Sequence, residues 1–147
     1  MYNRKSGLSS YGRIANTESD PLKQIVMLYD GAIKFLSIAA ADIEAKDFES
    51  KGQNTGRALD IINYLQSILD LEKGGSVGRS LDELYTGVRT LVLRATIAPD
   101  AALMRSAAEA LRPVRDAWET NASLPHAAVA DRRTSSLSDR PASTALA

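Results

Sequence analysis

The chain has no cysteine. Disulfide frameworks and thiolate metal sites are therefore excluded at once. It has one histidine, His126, so a nucleophile–base pair of the Ser-His kind would rest on that residue alone. No Glu-x-x-His repeat occurs, and a di-metal carboxylate bundle needs one on facing helices. Charge of one sign is missing too: 18 Lys+Arg stand against 18 Asp+Glu, and the net charge is zero. Residues 1–20 hold 3 basic and 2 acidic groups, residues 21–121 hold 12 and 14, and residues 122–147 hold 3 and 2. No basic patch arises, which argues against nucleic acid as the main partner. The opening stretch MYNRKSGLSSYGRIANTESD has no apolar h-region. No uninterrupted apolar run reaches the roughly 18 residues that a bilayer span requires. These absences predict a cytosolic protein without a leader, without direct membrane insertion, and with neither cofactor nor metal. The acidic neighbours Asp82-Glu83 and Asp42/Glu44 read as solvated helix faces, and Gly74-Gly75 has no phosphate-binding motif around it. An enzyme has no residue to rest on.

What is present is helical periodicity. At 147 residues the chain is one domain's worth, long enough to bury a core. The stretch VMLYDGAIKFL (26–36) poses the first question, because Asp30-Gly31 is a strong hairpin signal inside an apolar run. A hairpin needs alternation on both flanks, and residues 25–29 are apolar without a break. Positions 22, 25, 26, 29, 33, 36, 40 and 43 instead form one stripe at helical spacing, and Asp20-Pro21 suits a helix start. The segment reads as a helix carrying a glycine that costs about 1 kcal/mol relative to alanine. Leu28, Ala32, Phe35 and Ala39 add a second stripe, which predicts burial on two sides, one of them against something outside the chain.

Three further helical segments follow. Residues 47–72 place Ala58, Ile61, Ile62, Leu65, Ile68 and Leu69 on one face, and EKGGSVG then breaks the chain at Gly74-Gly75. Ser80 and Glu83 read as a capping box, with Ser76 as the alternative start one turn earlier. The face of this third segment is Leu81, Leu84, Tyr85, Val88, Leu91, Val92 and Ala95. After IAPD, Leu103, Ala107, Leu111, Val114 and Trp118 mark a fourth helix, which Pro113 is expected to kink. From residue 122 the chain loses its period and is rich in Ala, Ser, Thr, Pro and Arg, the composition of a disordered tail. The expected organisation is a flexible N-terminal arm (1–19), an all-α, antiparallel up-down four-helix bundle (20–121) and a disordered C-terminal tail (122–147).

With no residues to support catalysis, what remains is surface for a partner. Tyr29 and Tyr85 lie beside aliphatic stripes, each followed within two residues by a glycine, at Gly31 and Gly87. They are either core aromatics or the lining of a groove into which an amphipathic helix lies closely.

The segments Pro21–Leu36 (with its Met-Leu-Tyr-Asp-Gly box), Glu72–Gly75 (EKGG), Leu81–Tyr85 and Leu111–Trp118 occur in an order that resembles the flagellar secretion chaperone FliS family. The resemblance covers roughly residues 2 to 119 and departs from the usual pattern at Gln24, Ser80, Thr96 and Pro113. It implies an antiparallel helical bundle that binds the C-terminal segment of flagellin in the cytoplasm, prevents early polymerisation and delivers flagellin to the type III export gate. A groove made with Ile25, Leu28, Tyr29, Ala32, Leu84, Tyr85 and Val88 is the expected flagellin site. Leu8 and Tyr11 in GLSSYG match the family's contact to the export-gate protein FlhA. Two alternatives stay open at this level: an adaptor bundle that sequesters another flagellar or transcriptional protein, and a homodimer formed by pairing apolar stripes.

Overall fold

A computed structural model gives the arrangement of residues 21–120. Four helices account for nearly all of them: α1 (Pro21–Glu44), α2 (Phe48–Ser67), α3 (Leu71–Ile97) and α4 (Ala101–Thr120). The connections are three residues each, too short for anything but antiparallel neighbours. Cross-helix contacts confirm the directions. Glu44 and Asp30 of α1 meet Arg105 and Arg115 of α4, so rising numbers on one helix match falling numbers on the other. Asn63 and Gln66 of α2 meet Arg89 and Asp82 of α3 in the same opposed sense. The bundle closes as a ring, in which α1 packs most extensively against α4 and α2, while α2 and α3 touch least.

Aspartates begin the last three helices. Asp47 Oδ1 accepts from the Ser50 N–H at 3.1 Å, Asp70 Oδ1 from Lys73 at 2.9 Å, and Asp100 Oδ1 from Leu103 at 3.0 Å. Each satisfies one of the backbone donors a helix start leaves open. The α1–α2 turn places Lys46 at φ 60°, a left-handed conformation in a non-glycine residue. Asp20, the expected cap of α1, lies outside the described residues, as do the arm, the tail and His126.

The Asp30-Gly31 question resolves as a helix. Both residues lie well inside α1, with Asp30 exposed and Gly31 buried. Ile25, Tyr29, Ile33, Leu36, Ala40 and Ile43 of the first stripe are all core, and Leu28, Ala32 and Ala39 of the second are core as well. The wide apolar arc is therefore explained within the chain, because α1 is flanked by α2 and α4 and faces α3 across the core. By length and composition α1 could cross a membrane, yet half of its most apolar window is buried inside the bundle.

Two expectations need correction. The segment 47–72 is not one helix: α2 ends at Ser67, and Asp70 caps a new helix that begins at Leu71. The expected break at Gly74-Gly75 is present as well: at Gly75 (φ 55°, ψ −130°) the backbone leaves helical geometry, so a first turn at 71–74 meets the long run of 76–97 at a kink, and glycine supplies the positive φ. Ser80 is consequently an exposed residue of the helix interior and no capping box forms there. Pro113 lies inside α4, which runs from Ala101 to Thr120 around it rather than ending there. Pro113 and the residue one turn earlier, Glu109, are both exposed, so the Glu109 carbonyl that lacks a helical donor lies on the watered face. Buried Leu111 and Trp118 hold the helix down on either side.

Candidate functional site

The seven candidate groove residues do come together, but inside the bundle. Tyr29 and Ala32 are fully buried, Tyr85 and Val88 nearly so, Ile25 and Leu28 are buried, and only Leu84 is half-exposed. They belong to one continuous core cluster with Leu36, Ile61, Leu65 and Trp118, and Leu84 packs at its edge.

At the centre of this group lies an unusual polar contact. The Tyr29 and Tyr85 hydroxyls share a hydrogen bond of 2.5 Å across the bundle, with ring centroids 6.2 Å apart and planes tilted by 51°. Burial pushes the Tyr29 hydroxyl up to about 12, only partly offset by its Tyr85 partner, and it pushes Tyr85 well above the ordinary phenol range. Both hydroxyls therefore stay protonated across any physiological pH. The indole Nε1–H of Trp118 sits beside Tyr29 and lowers its pKa slightly, yet closes no hydrogen bond of ordinary geometry. Trp118, Tyr29 and Tyr85 are the three largest fully buried side chains. They knot α1, α3 and α4 together through groups that carry polar atoms.

The seams around the knot differ in chemistry. Between α1 and α4, Arg115 Nε donates to Asp30 Oδ1 at 2.7 Å, and Arg105 forms a two-pronged pair with Glu44 at 2.5 and 3.1 Å. The Glu44 carboxylate is held below its usual pKa by that guanidinium. Asp30 of the Met-Leu-Tyr-Asp-Gly box is thus the α4-facing half of a clasp, a role its sequence context did not announce. Between α1 and α2, Asp42 Oδ2 accepts from Ser50 Oγ at 2.8 Å and from Asn54 Nδ2 at 3.1 Å. Between α2 and α3 the contacts are a polar lattice. Gln66 Nε2 donates to Asp82 Oδ1 at 2.9 Å and Thr86 Oγ1 at 3.1 Å, while Arg89 donates to Asn63 Oδ1 at 3.1 Å and to Gln66 Oε1. At the far end of this seam Lys51 Nζ reaches the Thr96 carbonyl at 3.3 Å and lies over the Phe48 ring.

The family model for the flagellar protein FliS matches residues 5–124. This chain belongs to the FliS family. The flagellar secretion chaperone FliS of Salmonella typhimurium is 33% identical over 119 residues, 78% of this chain and 88% of that protein. The Vibrio cholerae flagellar secretion chaperone FliS is 33% identical over 101 residues, 69% of this chain and 74% of its own length. The Bacillus subtilis protein of the same name is 32% identical over 113 residues, 76% and 82% of the two chains. FliS is a chaperone family and not one of enzymes, so the protein acts by binding and implies a flagellar export client. The four-helix fold is that of an all-α bundle, as the sequence led one to expect.

Sequence reasoning missed the exposed apolar residues. Phe48, Leu93 and Ile97 stand out of the bundle, Ile97 at 83% exposure, and Leu93 and Ile97 lie one turn apart on α3. Their spacing continues the helical period on the side away from the core stripe, and a search for core positions passes over them. Leu8 and Tyr11 lie outside the described residues.

Proposed function

We propose that the protein is a cytoplasmic export chaperone that binds the C-terminal segment of flagellin. By holding that segment it prevents premature polymerisation and hands flagellin to the type III export gate, where Leu8 and Tyr11 contact FlhA. The observation that carries this reading is the match to the FliS family over residues 5–124, which takes in both the bundle and Leu8 and Tyr11. The physical character of the chain agrees. A client segment that folds as it binds needs a large apolar surface and no reactive group, since burial of about 1,000–3,000 Å² must exceed the ordering entropy. The proposed flagellin site is built around Ile25, Leu28, Tyr29, Ala32, Leu84, Tyr85 and Val88, of which Leu84 alone is half-exposed in the free bundle.

The test is a titration of the full chain with the C-terminal segment of flagellin from the same organism, followed by circular dichroism. Saturation at one segment per chain, with more helix than the two parts sum to, supports the reading. A folded bundle that leaves the segment unbound contradicts it. The gate contact is separable: Leu8→Ala with Tyr11→Ala weakens FlhA binding and leaves flagellin binding unchanged.

A further inference from the structure

The corner where α2 begins and α3 ends carries apolar side chains that the bundle leaves in solvent. Phe48 is 47% exposed, Leu93 43% and Ile97 83%, and Ala98 and Pro99 of the following turn are exposed as well. Lys51 ties them into one patch. Its Nζ lies over the Phe48 ring at 5.6 Å and donates to the carbonyl of Thr96, the residue before Ile97, at 3.3 Å. Leu93 stands one turn back from Ile97 on α3. Phe48, Leu93 and Ile97 together expose less than two whole side chains, even counting each at the ~150–250 Å² of an aromatic one. That is well under the roughly 800 Å² that each partner brings to a stable interface. A second copy of the chain is therefore too weak an occupant. A tethered segment acts at a local concentration in the millimolar range, and a patch of this size is enough for it.

The chain itself supplies such a segment. α4 starts just beyond Ile97 and runs back to Thr120, so residues 121–147 leave from the opposite end of the bundle, about 30 Å away by the rise of a 20-residue helix. An extended chain advances about 3.3 Å per residue, so about nine residues are used in the return. Leu124 falls short of the patch, and Val129 and Leu137 are the next large aliphatic side chains. Arg132 and Arg133 lie between those two. At the corner the exposed acids Asp47, Glu49 and Asp100 outnumber the exposed bases Lys46 and Arg94. The family match ends at residue 124, short of this stretch. We propose that residues 129–137 return along the bundle and lie on Phe48, Leu93 and Ile97, with Arg132 and Arg133 against the acids of that corner. The covered corner then offers no apolar patch for self-association. Because the patch is small the segment binds reversibly, and a larger apolar partner arriving at this corner displaces it.

Paramagnetic broadening in the full chain tests this without any partner. The absence of native cysteine lets a nitroxide be attached at Ser135→Cys alone. A segment that stayed free would keep that label about 20 Å from Thr120 on average, and would broaden the near end of the bundle, residues 67–73, most strongly. The proposal predicts the reverse: amide signals of residues 46–52 and 93–100 lose the most intensity, although they lie at the end remote from Thr120. Strongest broadening at 67–73, or none anywhere, would overturn it. In the labelled chain, Val129→Ser/Leu137→Ser and, separately, Ile97→Ser should each abolish the remote broadening. Ile97 is so exposed that its replacement leaves the core intact, which unchanged amide shifts in α1 would verify. Remote broadening that survives both changes would also overturn the proposal. So would remote broadening of unlabelled chains mixed with labelled ones, since that would make a second copy the occupant.

Discussion

α1 and α3 face each other across the same core, share a hydrogen bond, and are built on different principles. α1 is apolar over a wide arc, lies between two neighbours, and is clasped to α4 by ion pairs at Asp30 and Glu44. α3 presents a narrow apolar stripe, bends at Gly75, and meets α2 through side-chain amides, carboxylates and a guanidinium. Both helices are anchored by buried apolar residues, but α1 buries more of its length, and the seam of α3 with α2 is the most polar in the bundle.

The same substitution in the two helices should show the contrast most strongly. Leu36→Ala in α1, at a fully buried position, should cost about 3–5 kcal/mol in denaturant unfolding, whereas Leu84→Ala at the half-exposed edge of α3 should cost about 1–2 kcal/mol. Equal costs would remove the distinction between the helices.

The tyrosine pair connects them and gives the next effects. In the unfolded chain both phenols ionise near 10, whereas in the bundle Tyr29 does so near 12 and Tyr85 higher still. Stability is therefore full below pH 10 and falls as pH rises from 10 through the folded values, because the unfolded state releases its protons first. The expected slope is about 1.4 kcal/mol per pH unit for each tyrosine that titrates this way. Unfolding curves at pH 9, 10.5 and 11.5 would measure it, and a Tyr29→Phe/Tyr85→Phe chain should lose most of the dependence. Singly, Tyr85→Phe leaves the Tyr29 hydroxyl buried without its partner and should cost about 1–3 kcal/mol, with the double replacement costing less than the sum of the two single ones.

How much of this was readable beforehand follows the physics of each feature. The helical nature of 21–44 was legible because a stripe of eight positions outweighs one Asp-Gly pair. Most core residues of the four helices were legible for the same reason, although Met104 and Ala108 of α4 were passed over and Leu103 and Val114 proved only partly buried. The break at 68–70 was not, because Asp70 sits amid apolar residues and its capping bond becomes evident only when Lys73 is seen to donate to it. The glycines at 74 and 75 did mark a real break in helical geometry, at Gly75, but not the earlier one. Which apolar residues are core and which are surface at a candidate site was also out of reach: Tyr29 and Tyr85 have the spacing of both, and only the fold places their hydroxyls 2.5 Å apart. Asp30 looked like a turn former and is an ion-pair partner, a role set by Arg115, 85 residues away.

The smallest effects sharpen the comparison at the surface. Asp30→Ala removes the α1–α4 clasp at a half-exposed site and should cost no more than about 1 kcal/mol, less at high salt. Gly87→Ala, on the exposed face of α3 with nothing within 4 Å of the added carbon, should raise stability by about 0.5–1 kcal/mol through helix propensity. A loss of stability there would mean that α3 is packed on its outer side as well.

Calorimetric titration of the full chain with the C-terminal and, separately, the N-terminal segment of the same flagellin tests the central claim most directly. The account predicts saturable one-to-one binding of the C-terminal segment, a negative heat-capacity change, and no comparable heat from the other segment. Equal binding of both segments, or of neither by a folded bundle, would contradict it.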